Sequence, residues 1–211
     1  MTFHFSRPRI VALLVTLLVP GTIFAIQRAQ AGSIATEKVF QALALAEGQT
    51  VCEVGAGDGE LSIAAAKAVG PNGRVYTSEL GDDRVKALRQ KVEASGLAHI
   101  TVVEGEATKT KFSDATCDAL FMRNVYHHFA DPKAMNASIV ASVKPGGRVA
   151  VVDFTPPGKE AGTPADRGKD GMHGISADSL SRELKEAGLE PVASELGSER
   201  WFMVVVSKPG S

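Results

Sequence analysis

The sequence predicts an α/β fold: a mostly parallel seven-stranded sheet with helices on both faces and an antiparallel hairpin at its end. Three observations carry this. Segments of strand length alternate with helical segments from residue 34 to residue 187. Strand-like runs such as ALFM (119–122) and VAVV (149–152) are apolar at every position, as strands covered on both faces are. The last two strand-like runs are joined by too short a link for a crossover, so the final strand must run antiparallel.

The elements follow in order. Residues 34–46 form a helical pattern with Val39, Leu43 and Ala46 on one face, stopped by Gly48. A β-branched run at 50–54 leads into the glycine-rich stretch 55–59. Residues 61–69 are helical and end at the turn Gly70-Pro71-Asn72-Gly73. A strand at 74–78 precedes a helix at 82–95, with Val85, Leu88 and Val92 inward and Gly96 as its stop. Strands at 100–103 and 118–122 precede a helix at 132–143, which ends at Pro145-Gly146-Gly147. A strand at 148–154 opens into a polar loop rich in Gly and Pro, 155–174. The helix 177–187 and the strands 189–194 and 201–206, joined through Gly197-Ser198, complete the chain. There is no internal repeat.

The 211 residues are 44% hydrophobic and 22% charged, which suits one globular domain with a sizeable core. The first 31 residues stand apart. Arg7 and Arg9 precede an apolar run at 10–19, which resumes after Pro20-Gly21 and continues to residue 26. Ala29-Gln30-Ala31 then offers small residues at the spacing a signal peptidase reads. Residues 1–31 are therefore expected to be a signal peptide or an N-terminal membrane anchor, ahead of a domain at 32–211. Membrane contact is expected only through residues 10–26, and only if the leader is uncleaved. Either reading places the domain outside the cytoplasm, exported or periplasmic. A misassigned start codon would instead leave a cytosolic protein.

The leader holds three arginines and no acid, leaving 20 basic against 24 acidic residues in the remainder. That balance lacks the electrostatic footprint of nucleic-acid binding. Cys52 and Cys117 sit in apolar strands and form no CxxC or Cys/His cluster, so no metal site is expected. One disulfide is arithmetically possible in an exported chain. The expectation is that both act as small buried hydrophobes.

The chemistry concentrates at the carboxyl ends of the strands, where open α/β sheets bind ligands. Glu53-Val54-Gly55-Ala56-Gly57-Asp58-Gly59 occupies a strand-to-helix turn, where glycines let backbone approach a ligand and the next helix presents free N–H groups. The dinucleotide fingerprint G-x-G-x-x-G fails at Glu60, and an acid just before the glycines suits an amino group and a sulfonium better than a pyrophosphate. Glu79, at the end of the next strand, can accept both hydroxyls of a ribose. Glu106, after the third strand, can accept an adenine amine. Taken singly, a glycine turn is also a tight connection and Glu79 also a solvated strand end.

Together these segments resemble the class I S-adenosylmethionine-dependent methyltransferases of small-molecule type, including exported members. VCEVGAGDGE (51–60) resembles their first motif, and GEATKTKFSDATCDALF (105–121) their adenine-side motif. RNVYHHFADP (123–132) and VKPGGRVAVVDF (143–154) are similar to the segments around the fourth and fifth strands. The resemblance covers roughly residues 35–207. It implies a Rossmann-like fold, S-adenosyl-L-methionine as cofactor and a small-molecule methyl acceptor. It places Glu53, Gly55, Gly57 and Asp58 at the methionine end, with Ala56 and Gly59 of the same turn also binding cofactor, Glu79 and Leu80 at the ribose, Glu106 and Ala107 at the adenine, and Arg123 and Asn124 beside the methionine moiety. Glu106 stands where Asp is common, and Lys111 where Pro is common.

His127 and His128, just past the fourth strand, are the candidates for a general base, against the alternative that they only wall the pocket. Residues 166–173, ending in His173, are read as a substrate lid or wall, or else a surface loop. An adenosyl-ligand sensor or scaffold without turnover is the alternative to an enzyme. A nicotinamide oxidoreductase is disfavoured by Glu60 and by the turn Lys144-Pro145-Gly146-Gly147.

Overall fold

The structure, a computed structural model, describes residues 34–210. The expected leader at 1–31 lies outside the described residues. Among the described residues, helix α1 (Thr36–Ala42), strand β1 (Thr50–Val54), α2 (Glu60–Val69), β2 (Arg74–Glu79), α3 (Asp82–Ala94) and β3 (Ile100–Glu104) form the first half. Strand β4 (Cys117–Arg123), α4 (Pro132–Ser142), β5 (Val143–Phe154), α5 (Ala177–Glu186), β6 (Glu190–Leu196) and β7 (Trp201–Ser207) form the second. No helix among them is long and apolar enough to cross a membrane.

The sheet order is β3-β2-β1-β4-β5-β7-β6. The pairs from β3 to β5 are parallel, while β7 runs antiparallel to both β5 and β6. The expected hairpin is therefore present, with β7 inserted between β5 and β6. The order reverses between β1 and β4, so the ligand-binding crevice of such a sheet opens at their carboxyl ends.

Alternation of side chains along the strands divides the core into two layers. Cys52, Leu120, Met122, Val149 and Val151 pack with Ile139 of α4 and Leu180 and Leu184 of α5. Val51, Ala119, Phe121, Ala150 and Val152 pack with Val39 of α1, Ala65 and Ala66 of α2 and Leu88 of α3. Both faces of the sheet are thus covered.

Two boundaries move by more than two residues. Helix α1 is shorter than its apolar pattern because Ala44 turns left-handed (φ 53°) and Leu45 N–H donates back to Phe40. Strand β5 starts five residues early, at Val143, because Val143 pairs with Cys117 across a register shift before the regular ladder begins at Arg148. The cysteines correct the sequence reading: Cys52 and Cys117 form a disulfide, with 5.7 Å between their Cα atoms. Both are fully buried. They meet because β1 and β4 are neighbours, although 65 residues separate them in the chain.

Candidate functional site

The turn after β1 is built from backbone. Gly55 and Ala56 N–H groups both donate to the Ser78 carbonyl at the end of β2, at 2.9 and 3.0 Å. Gly57 has φ 55°, and a Cβ there would meet nothing within 4 Å, so this residue faces open space. Its N–H donates to Glu79 Oε2 at 2.8 Å, and Leu80 N–H donates to Glu79 Oε1 at 2.8 Å. Two backbone donors thus fix the Glu79 carboxylate and leave further lone pairs on each oxygen for hydroxyl donors. Arg84 Nε lies 3.6 Å from Glu79 Oε1 and donates to the Leu80 carbonyl. Leu80 is exposed at the rim, and Asp58 is exposed with its Oδ1 accepting from Glu60 N–H.

Glu53 differs from the exposed Gly57 and Asp58: it is buried, at 1% exposure. Its carboxyl bonds the Ser62 hydroxyl, which also bonds Thr77 at 2.8 Å. Burial pushes the Glu53 carboxyl up to about 8, against the downward pull of Ser62 and Arg123. Burial thus favours the neutral form of the carboxyl at neutral pH. Arg123 is half-buried, donates to the Ile34 carbonyl at 2.9 Å, and keeps a buried Nε without a partner. Asn124 is exposed and left-handed (φ 58°), anchored by its N–H to Val152 O. After β3, Glu106 and Ala107 are exposed, and Glu106 pairs with Lys111 at 2.8 Å.

The second half of the site is built from side chains. After β4 a short helical turn (Tyr126–His128) buries Tyr126 and His127 and leaves His128 exposed. His127 does not face an open cleft. Its Nδ1 lies 2.8 Å from Asp153 Oδ1, and its Nε2 lies 2.8 Å from His173 Nε2. Burial, with the imidazoles of His127 and His173 adding to it, holds His128 below the usual histidine range. The half-exposed rings of Phe154 and Trp201 continue the wall, with centroids 5.2 Å (Phe154 to His173) and 5.1 Å (Phe154 to Trp201) apart.

The long loop is folded rather than loose. Arg167 forms a buried ion pair with Glu183 of α5, and Glu183 also accepts from the Tyr126 hydroxyl at 3.0 Å. Glu160 accepts from both the backbone and the hydroxyl of Ser176. The sequence singled out His127, His128 and His173 in two separate segments but gave no sign that they meet. Asp153 was missed altogether; a lone acid inside the apolar run of β5 was the available signal, because a buried carboxylate needs donors.

The structure thus sets the glycine turn and Glu79 in one group and the histidines in another. Both stand at the carboxyl ends of the strands, and Arg84, bonded beside Glu79, is close enough to act electrostatically on His128.

Residues 51–147 match the family described as "Methyltransferase domain". The chain is 30% identical over 111 residues to a ubiquinone/menaquinone biosynthesis C-methyltransferase UbiE of Klebsiella pneumoniae, covering 52% of this chain and 44% of that protein. It is 30% identical over 125 residues to a demethylmenaquinone methyltransferase of Geobacillus kaustophilus, covering 57% of this chain and 52% of that protein. The match thus spans about half the length of these curated relatives. Among solved structures, a SAM-dependent methyltransferase from Aquifex aeolicus superposes with a TM-score of 0.73 at 25% identity, covering 90% of this chain and 99% of that one. The [4+2]-cyclase SpnF shares the fold with a TM-score of 0.71 at 18% identity, covering 83% of this chain and 80% of that one. The match over residues 51–147 and the superposition on the Aquifex aeolicus enzyme together support a class I S-adenosylmethionine-dependent methyltransferase.

Proposed function

We propose that the protein transfers a methyl group from S-adenosylmethionine to a small-molecule acceptor. One observation carries this: the Glu79 carboxylate, fixed by Gly57 and Leu80 N–H groups, stands beside an open glycine turn at the point where strand order reverses. The residues fit the cofactor. Glu79 offers acceptors for a ribose, Gly57 leaves room for close approach, and the protonated Glu53 can ionise to meet the charges of a methionine end. The cofactor supplies an electrophilic methyl group on a sulfonium. What the chain supplies is alignment of the acceptor and exclusion of water.

The acceptor we assign is a flat ring compound. The half-exposed rings of Phe154 and Trp201 and the exposed imidazoles of His128 and His173 form an aromatic wall at the acceptor end, and rings prefer tilted or stacked ring partners. The curated relatives are named for quinones, which are ring compounds of this kind.

We also propose that the domain acts outside the cytoplasm. The leader pattern at 1–31 supports this, as does the Cys52–Cys117 bridge, since disulfides persist in oxidising compartments. Fractionation of expressing cells, with N-terminal sequencing of the product, tests it. Intact chain confined to the cytoplasm would refute export.

Calorimetric titration with S-adenosylmethionine and S-adenosylhomocysteine tests the cofactor site. Glu79→Ala should weaken both by about 100-fold, the loss expected for two hydrogen bonds to a charged acceptor. A folded protein that binds neither ligand would overturn the methyltransferase reading and leave a scaffold role.

A further inference from the structure

We propose that His127, His128 and His173 bind one divalent transition-metal ion of the zinc type, with Asp153 orienting His127. Each histidine offers one ligand nitrogen, and these nitrogens all lie within 4.8 Å of one another. The donors come from two segments, the turn after β4 and the end of the loop before α5.

The tautomer of His127 follows from its partner. Asp153 Oδ1 accepts from His127 Nδ1 at 2.8 Å and from Phe154 N–H at 2.8 Å, and its Oδ2 accepts from His127 N–H at 3.1 Å. A carboxylate only accepts, so Nδ1 carries the proton and Nε2 presents its lone pair to the cluster. This is the arrangement that orients metal-binding histidines: a buried carboxylate behind the imidazole, holding ring and tautomer. His127 and Asp153 are both fully buried, so the support is rigid.

His173 is delivered by construction. Gly174, at φ 128°, is the next residue, and a Cβ there would meet the Phe154 carbonyl at 2.5 Å. Only glycine lets the chain cross β5 so closely. Ile175 N–H then donates to the same carbonyl at 3.0 Å, and the buried Arg167–Glu183 pair holds the loop from the other side.

Tetrahedral zinc with bonds of about 2.0–2.1 Å sets its ligand nitrogens about 3.3 Å apart. The His127–His173 separation of 2.8 Å has to open slightly, and His128 has to close in. Both His128 and His173 are exposed, so ring rotation suffices. Three neutral imidazoles suit zinc, copper or nickel rather than magnesium or calcium, which prefer oxygen. Three protein ligands leave a fourth position open to water or to a protic acceptor. That last role rests on the methyltransferase reading, whereas ion binding does not.

The test uses the full chain, stripped with a chelator and titrated with cobalt(II) chloride. One equivalent should bind, with the visible absorption of four-coordinate cobalt, and zinc should displace it. His173→Ala and His128→Ala, both at exposed positions, should each weaken binding by about 100-fold or more, and Asp153→Asn by about 10–100-fold. No cobalt spectrum from wild-type protein that is folded by circular dichroism would overturn the proposal. So would wild-type affinity in both alanine variants, which would leave only a hydrogen bond between His173 and His127. S-adenosylmethionine calorimetry on the same samples separates the two readings. Cofactor binding without cobalt binding removes the metal site alone. Cobalt binding without cofactor binding supports the metal site and removes the methyltransferase reading.

Discussion

The two halves of the site are held together by different means. Around β1 and β2, positions are set by backbone: Gly55, Ala56 and Gly57 N–H groups bond the end of β2 and its Glu79, and only 22 residues separate Gly57 from Glu79. Around β4 and β5, positions are set by side chains: His127 contacts Asp153 and His173 across separations of 26 and 46 residues. In the first half the donors are main-chain N–H groups, which stay in place whatever the side chains of Ala56 and Leu80. The second depends on each member being present, because removing one leaves another buried polar group unpaired.

The Cys52–Cys117 bridge ties these halves together, since β1 carries the turn and β4 carries the histidines. Removing it should produce the largest effect. Closure of a 65-residue loop contributes about 4 kcal/mol in the chain-entropy account. The Cys52→Ala/Cys117→Ala double variant should therefore melt on the order of 10 °C lower than the oxidised wild type. Thermal melts with and without reductant check this. Identical midpoints would show that packing alone joins the halves.

The same division explains what could be read from the sequence. All seven strands and the terminal hairpin were legible, because apolar runs and glycine turns report local structure directly. The residues of the glycine turn and Glu79 were legible for the same reason: each is fixed by its own strand end. The disulfide was not, because an apolar strand cysteine looks the same whether bridged or free, and only the β1–β4 adjacency brings the two sulfurs together. The histidine cluster was not, because its members meet only once the loop 155–174 has folded back through Arg167 and Gly174. Export, read from residues 1–31, has no counterpart among the described residues.

The turn half contains one side chain that behaves unlike its neighbours, and pH exposes it. The folded protein holds the Glu53 proton up to about pH 8, while the unfolded chain releases it near the ordinary value of 4.5. The unfolded state thus binds fewer protons between those values, so stability falls as pH rises. The contribution is fully present below about pH 4.5 and is lost progressively towards pH 8. Glu53→Gln keeps the size and a hydrogen-bonding group but cannot ionise. Its melting temperature should decline less than that of wild type between about pH 5 and pH 8, and the gap should be widest at the alkaline end. Parallel profiles would mean that Glu53 is already ionised in the folded protein, satisfied by Arg123.

The smallest effect belongs to the rim of the same half. Lys111 stands in a left-handed turn (φ 63°) and pairs with Glu106 at 2.8 Å, both residues exposed. The hydrogen bond and charge of Lys111 hold the Glu106 carboxyl below its usual range. Exposed pairs contribute little to stability, so Lys111→Ala should leave the melting temperature unchanged. Its effect on the cofactor is the sharper reading. If Glu106 accepts the adenine amine, it must share its oxygens with Lys111 or release it. Freed of that competitor, the variant should bind S-adenosylmethionine up to about twofold more tightly, a difference on the scale of one exposed pair. Glu106→Ala should shift affinity the other way. Weaker binding in Lys111→Ala would instead place Lys111, rather than Glu106, against the ligand. The adenine side would then join the histidine half as a region whose contacts depend on side-chain partners more than on strand ends.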